Sequence, residues 1–165
     1  MTERNRQRSC LTRAQVFISS ALEGLSPVRC GDTGEPFPLY RLPVSLTNRA
    51  DLLSWSSAYH HLDCIWLASG DLEESAYARM SAPDSELSTS GRELAALVEL
   101  AAGIPTFYYM IRYYEDEEVD EDRLCPSCGQ DWREDVLDEK AGQFQDFPFR
   151  CQPCRLVSHR ASSRV

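Results

Sequence analysis

Four cysteines stand at spacings that suit a single metal ion. Cys125-Pro126-Ser127-Cys128-Gly129 and Cys151-Gln152-Pro153-Cys154 each form C-x-x-C, with twenty-two residues between the pairs. Two residues between paired cysteines let a tight turn aim both sulfurs at one ion about 2.3 Å away. Gly129 supplies the positive φ that the end of such a turn needs. The pattern reads as a zinc ribbon in which Cys125, Cys128, Cys151 and Cys154 ligate Zn²⁺. A pair of redox-active C-x-x-C motifs is the lesser alternative, since neither lies in a βαβ context. Four thiolates fill a tetrahedron and leave no open position for water or substrate, so the ion is expected to be structural. Trp132, Phe147 and Phe149 are candidates for a small apolar layer beside it. A module of about forty residues buries too little surface to fold alone, so the metal is expected to supply on the order of 10 kcal/mol.

Other residues carry weaker signals. His60 and Cys64 lie at i, i+4 on one predicted helix, and His61 and Cys64 at i, i+3. With Cys30 they form a candidate second metal site, weighed against Cys64 as a small buried hydrophobe. Arg150, Arg155 and Arg160 are the candidate contacts to DNA or RNA, with Arg123 and Arg133 behind them, because the guanidinium fork suits phosphate. Sixteen of the seventeen basic residues are arginine, however, so coding composition explains their presence about as well. The chain has no H-x-E, H-E-x-x-H or G-x-S-x-G motif and no phosphate-cradling glycine loop. Enzymatic activity is therefore not expected.

The formal net charge of −9 disfavours non-specific binding to a phosphate backbone and favours a basic protein partner. The charge is unevenly spread. Residues 84–122 hold eleven acids against Arg92 and Arg112, whereas 150–165 hold four arginines and no acid. Seven cysteines, an odd number, argue against a closed disulfide framework and for a reducing, cytoplasmic setting. Glu99 interrupts the longest apolar run, Leu94 to Ile104, so no membrane span is expected.

The elements that must position these residues can be read coarsely. Residues 11–23 suit a short helix. Phe37 to Pro43 is too proline-broken for a central strand. Thr47 or Asn48 can cap a long helix to about Ser69, with Leu52, Trp55, Tyr59, Leu62 and Trp66 on one stripe and Gly70 as its stop. A shorter helix carries Leu72, Tyr77 and Met80. Ser90 suits the cap of a helix through Ala102, with Glu93 completing a capping box and Leu94, Leu97, Val98 and Ala101 as its buried face. Gly103 and Pro105 close it. Thr106 to Tyr114 is the best strand, more suited to core than to stacking bases. Glu115 to Asp122 places seven carboxylates in eight positions and reads as a solvated linker.

These segments resemble a bacterial family described as Zn-ribbon-containing and linked to nucleic-acid binding. The resemblance rests on Arg29-Cys30-Gly31-Asp32, Pro38 to Pro43, Gly91-Arg92-Glu93-Leu94 and Gly103 to Tyr109. The Cys125 to Gly129 knuckle and Cys151 to Ser158 complete it, so that it covers roughly residues 28–158. It implies a zinc-binding protein with a nucleic-acid ligand, and this chain looks like an N-terminally shortened member. Thr33 stands where the family pattern suggests a cysteine paired with Cys30.

The fold expected is α+β, a mainly helical N-terminal domain with an aromatic strand, followed by a small β-rich zinc ribbon. Residues 1–27 form an N-terminal extension, 28–114 the helical domain, 115–122 the acidic linker, 123–158 the ribbon and 159–165 a basic tail. The expected function is that of a cytoplasmic, non-enzymatic zinc protein that binds nucleic acid through the ribbon. The alternative is an acidic protein–protein interaction or inhibitor protein, of the immunity type, in which the ribbon is purely structural.

Overall fold

The computed structural model describes residues 16–18, 26–31, 33–113, 123–133 and 147–160. The acidic run 115–122 and the tail beyond Arg160 lie outside them. The fold is α+β as expected. Among the described residues three α-helices pack on a five-stranded sheet of order β2-β1-β3-β5-β4. The strands are β1 (Val16–Ile18), β2 (Val28–Cys30), β3 (Thr106–Tyr109), β4 (Phe149–Cys151) and β5 (Leu156–Ser158).

β3 is the axis of this sheet. It runs parallel to β1 on one side and to β5 on the other, while β2 and β4 close the edges antiparallel. A central strand buried on both faces favours bulky and β-branched side chains over alternation. Thr106, Phe107 and Tyr108 accordingly have no exposed surface. The strand stops at Tyr109, short of the predicted Tyr114, although Met110 and Ile111 remain buried beyond it.

The segment read as a helix over 11–23 contains a strand instead, Val16-Phe17-Ile18. Its apolar positions fit a helical stripe only loosely, and β-branched and aromatic neighbours favour a pleated setting. The deciding contacts are distant ones, with Phe17 in register with Phe107 and Ile18 with Tyr108. Ile18 is completely buried.

The first helix, α1 (Leu46–Leu67), is capped by Ser45, whose Oγ accepts from the Asn48 N–H at 3.0 Å. The cap thus lies two or three residues before the predicted one, because Thr47 and Asn48 already hold helical geometry. Leu52, Trp55 and Tyr59 of the expected stripe are buried, and Leu62 and Trp66 are half-buried. Ser69, not Gly70, takes the left-handed position at its end, with φ 50°. The short helix α2 (Glu73–Ser81) buries Ala76 and Met80.

The third helix, α3 (Glu86–Ala102), starts a turn earlier than predicted. Ser85 caps it, accepting from the Ser88 N–H at 3.0 Å. Gly103 closes it with φ 67° and an N–H donated to Glu99 O at 2.8 Å. The earlier start carries Leu87 and Ser88 into the core and turns the buried face. Leu94 and Val98 stay on it, Ala95 joins it, and Leu97 and Ala101 are exposed.

Gly91 lies mid-helix for lack of space. A Cβ there would stand 2.8 Å from Trp55 Nε1 and closer still to the Tyr108 ring. Trp55 Nε1–H donates to Leu87 O at 2.9 Å and meets the Tyr108 ring edge-on, with centroids 6.0 Å apart. This junction seats α1 and α3 together on β3. It makes α3 a fixed platform beside the cysteine turns.

Candidate metal centre

Two tight turns carry the cysteine pairs. In the first, the Cys125 N–H donates to Gln130 O at 2.9 Å and the Gly129 N–H to Cys125 O at 2.8 Å. Gly129 adopts φ 67°, the left-handed conformation expected of it, and nothing lies within 4 Å of where its Cβ would be. The second turn links β4 to β5 and bears Cys151 and Cys154. Its left-handed residue is Arg155, with φ 53°.

The turns converge on one point. The Sγ atoms of Cys125, Cys128, Cys151 and Cys154 all lie within 4.8 Å of one another. All four are free thiols, and Cys128 Sγ stands 3.7 Å from Cys151 Sγ. Bonds of about 2.3 Å at tetrahedral angles place sulfurs about 3.8 Å apart, so this spacing suits ligands of one ion and is far too long for a disulfide. Cys125 and Cys151 are buried, Cys154 is half-buried and Cys128 is exposed.

The electrostatics point the same way. The Gln130 backbone N–H, chief among the groups around it, draws the Cys128 thiol down to about 7. Burial pushes the Cys151 and Cys154 thiols up. Four thiolates this close repel, and a cation among them removes both the repulsion and the protons. The cluster can therefore hold a metal ion with a full set of sulfur ligands.

The apolar layer beside the cluster is Trp132 and Phe149, both buried, with ring centroids 5.5 Å apart. Phe147 packs instead with Phe107, Tyr109 and Val157. Trp132 Nε1–H donates to Arg123 O at 2.8 Å, and the Arg123 guanidinium lies 4.3 Å from the Phe149 ring centroid.

The arginines predicted to face nucleic acid occupy three different environments. Arg160 is exposed. Arg150 is half-buried on β4, where burial lowers its affinity for a proton. Arg155 is engaged within the chain. Its Nε and Nη2 donate to the two Glu99 carboxylate oxygens, each at 2.9 Å, and its Nη1 donates to Gln152 O at 3.0 Å. Glu99 also accepts from the Thr106 N–H at 3.0 Å. Burial opposes the Glu99 charge, but Arg155 and Thr106 outweigh it and hold the carboxyl below its usual range.

Glu99 is the residue that sequence reasoning undervalued. Its signal was visible, because it is the lone acid in an otherwise apolar stretch. The same helix face reaches the first turn through Arg92, whose Nη2 lies 3.4 Å from Ser127 Oγ. The helix α3 thus contacts both turns, the second far more firmly.

The candidate second site is not assembled as drawn. Cys30 is joined in a disulfide and offers no thiolate. His60 and Cys64 are adjacent on α1, with Nε2 3.6 Å from Sγ. Among the described residues no helix is long and apolar enough to cross a membrane.

Two family models match the chain. The family described as "Domain of unknown function (DUF2310)" matches residues 10–111, more than half of the chain. The chain belongs to the DUF2310 family. A second family, "Domain of unknown function (DUF8594)", matches residues 115–163, which include all four clustered cysteines. A relative from Haemophilus influenzae, bearing the name "Uncharacterized protein", is 35% identical over 147 residues, covering 88% of this chain and 70% of its own length. Another from that organism, with the same name, is 35% identical over 150 residues. The chain spans 54% of that longer relative. No solved structure matches.

Proposed function

We propose that this DUF2310 member is a cytoplasmic, non-enzymatic zinc protein whose C-terminal module is a zinc ribbon. The observation that carries the reading is the convergence of four free cysteine sulfurs within 4.8 Å. An all-sulfur tetrahedron selects zinc or iron, and zinc is the common occupant of structural Cys₄ sites. With every position filled by the protein, the ion polarises no substrate. Its work is to tie two turns, β4 and β5 to the α3 platform. Recognition then belongs to the rest of the surface, which is acidic, and the natural partner is a basic protein.

A second reading, in which the ribbon grips DNA or RNA, draws support from the exposed Arg160 and the acid-free stretch 150–165. Against it, the donors of Arg155 are taken up by Glu99 and Gln152. Two measurements test the pair. Elemental analysis should return one zinc per chain, and a chelator should disorder the region around Trp132. Less than one zinc, or a chelator without effect, sinks the ribbon. Affinity for a mixed oligonucleotide pool at two salt concentrations addresses the second reading. A salt slope abolished by replacing Arg150, Arg155 and Arg160 establishes it, and absence of binding at low salt removes it.

A further inference from the structure

Among the described residues, α1 presents an uncharged outer face. From Leu52 to Leu67 its exposed positions carry no formal charge, and the one charged residue in that span, Asp63, is buried. In their place the helix exposes Leu53, His60, His61, Cys64, Ile65 and Leu67. A surface helix normally turns its charged side to solvent, as α3 does with Glu86 and Glu93.

At the centre of this face, His60 Nε2 stands 3.6 Å from Cys64 Sγ. A tetrahedral ion with bonds of about 2.05 Å to nitrogen and 2.3 Å to sulfur holds those atoms about 3.6 Å apart. The pair therefore already has the bite of a chelate, but it fills only two of four positions. The other described cysteines are in the Cys₄ cluster or, in Cys30, in a disulfide.

We propose that a second copy of this chain supplies the missing half. Two α1 helices related by a twofold axis would join their His60/Cys64 pairs around one zinc, giving the N₂S₂ tetrahedron that the ion accepts. His60 lies seven residues from both Leu53 and Leu67, so the metal sits within one row of apolar contacts along the seam. The choice of a second copy follows from charge. Each chain carries −9, and two such chains approach most easily across a face that bears none of it. Each Cys64 releases its thiol proton to solvent on binding, and no redox change is involved.

The test uses the full chain as purified, in excess phosphine reductant, with zinc added and followed by sedimentation velocity and metal analysis. The expected result is a zinc-dependent doubling of mass, with the dimer holding about half an equivalent more zinc per chain than His60→Ala or Cys64→Ser. Both variants should remain monomers. This difference is read between variants and does not depend on how fully the Cys₄ cluster is loaded. Leu53→Asp, which leaves both ligands in place, should also weaken the dimer. A chain that stays monomeric at saturating zinc overturns the proposal. So does a dimer that both ligand variants form equally well, or one that persists when zinc is withheld.

Discussion

The two cysteine turns perform the same task by different means. The first ends on Gly129, which enters the left-handed region without strain and contacts nothing outside its own loop through that position. The second ends on Arg155, which pays a conformational cost of about 1 kcal/mol for the same φ. What offsets that cost is a two-point grip on Glu99, a residue of α3. One turn is thus specified locally and the other by a partner fifty-six residues away. The difference teaches that a residue with the wrong backbone preference can mark a tertiary contact.

Removing the proposed ion should erase the comparison altogether. Cys151→Ser, or chelation, should cost the C-terminal region on the order of 10 kcal/mol, seen as lost near-ultraviolet signal from Trp132. Acid should do the same, because protons and metal compete for the sulfurs. Gly91→Ala tests the platform on which the second turn depends. Its Cβ would meet Trp55 and Tyr108, and a loss of about 1–3 kcal/mol in denaturant midpoint analysis is expected.

The turns themselves separate under a glycine exchange. Gly129→Ala should cost about 1 kcal/mol through φ alone. Arg155→Gly should be less destabilising than Arg155→Ala by about 1 kcal/mol, since it removes the grip and the strain together. Equal losses for the two Arg155 variants would show that the left-handed backbone carries no cost there.

The smallest effect concerns the grip alone. Glu99→Gln should lose about 0.5–1 kcal/mol, because both side chains are about one-third exposed. The folded carboxyl lies below its ordinary value of 4.5, so its contribution is present above that value and fades as the pH falls below it. The gap between parent and variant should therefore stay constant through the neutral range. A gap that closes within the neutral range would show that the variant's loss does not come from the Glu99 charge.

Legibility in the sequence followed the same divide between local and distant causes. The grouping of the four cysteines, the positive φ of Gly129 and the Gly103 cap are legible from short-range spacing. The strand at Val16–Ile18 was missed because its decisive partner, β3, lies some ninety residues away. The start of α3 was misplaced because Ser90 and Glu93 match a capping box, whereas Ser85 caps the helix and Gly91 lies inside it, admitting two aromatic rings. Arg155 was assigned to phosphate because its planar fork suits paired anionic oxygens, and only the fold shows that the Glu99 carboxylate supplies them.

The central position of β3 also has a bearing on synthesis. Its parallel neighbour β5 emerges from the ribosome long after it, so for that interval the edge of Thr106–Tyr109 is exposed. The span from Gly103 to Ile111 is uncharged and aromatic-rich, the composition that seeks another chain's edge when its own partner is missing. On the zinc-ribbon reading proposed above, loss of the ion should lengthen that exposure and raise the share of chain recovered in aggregates.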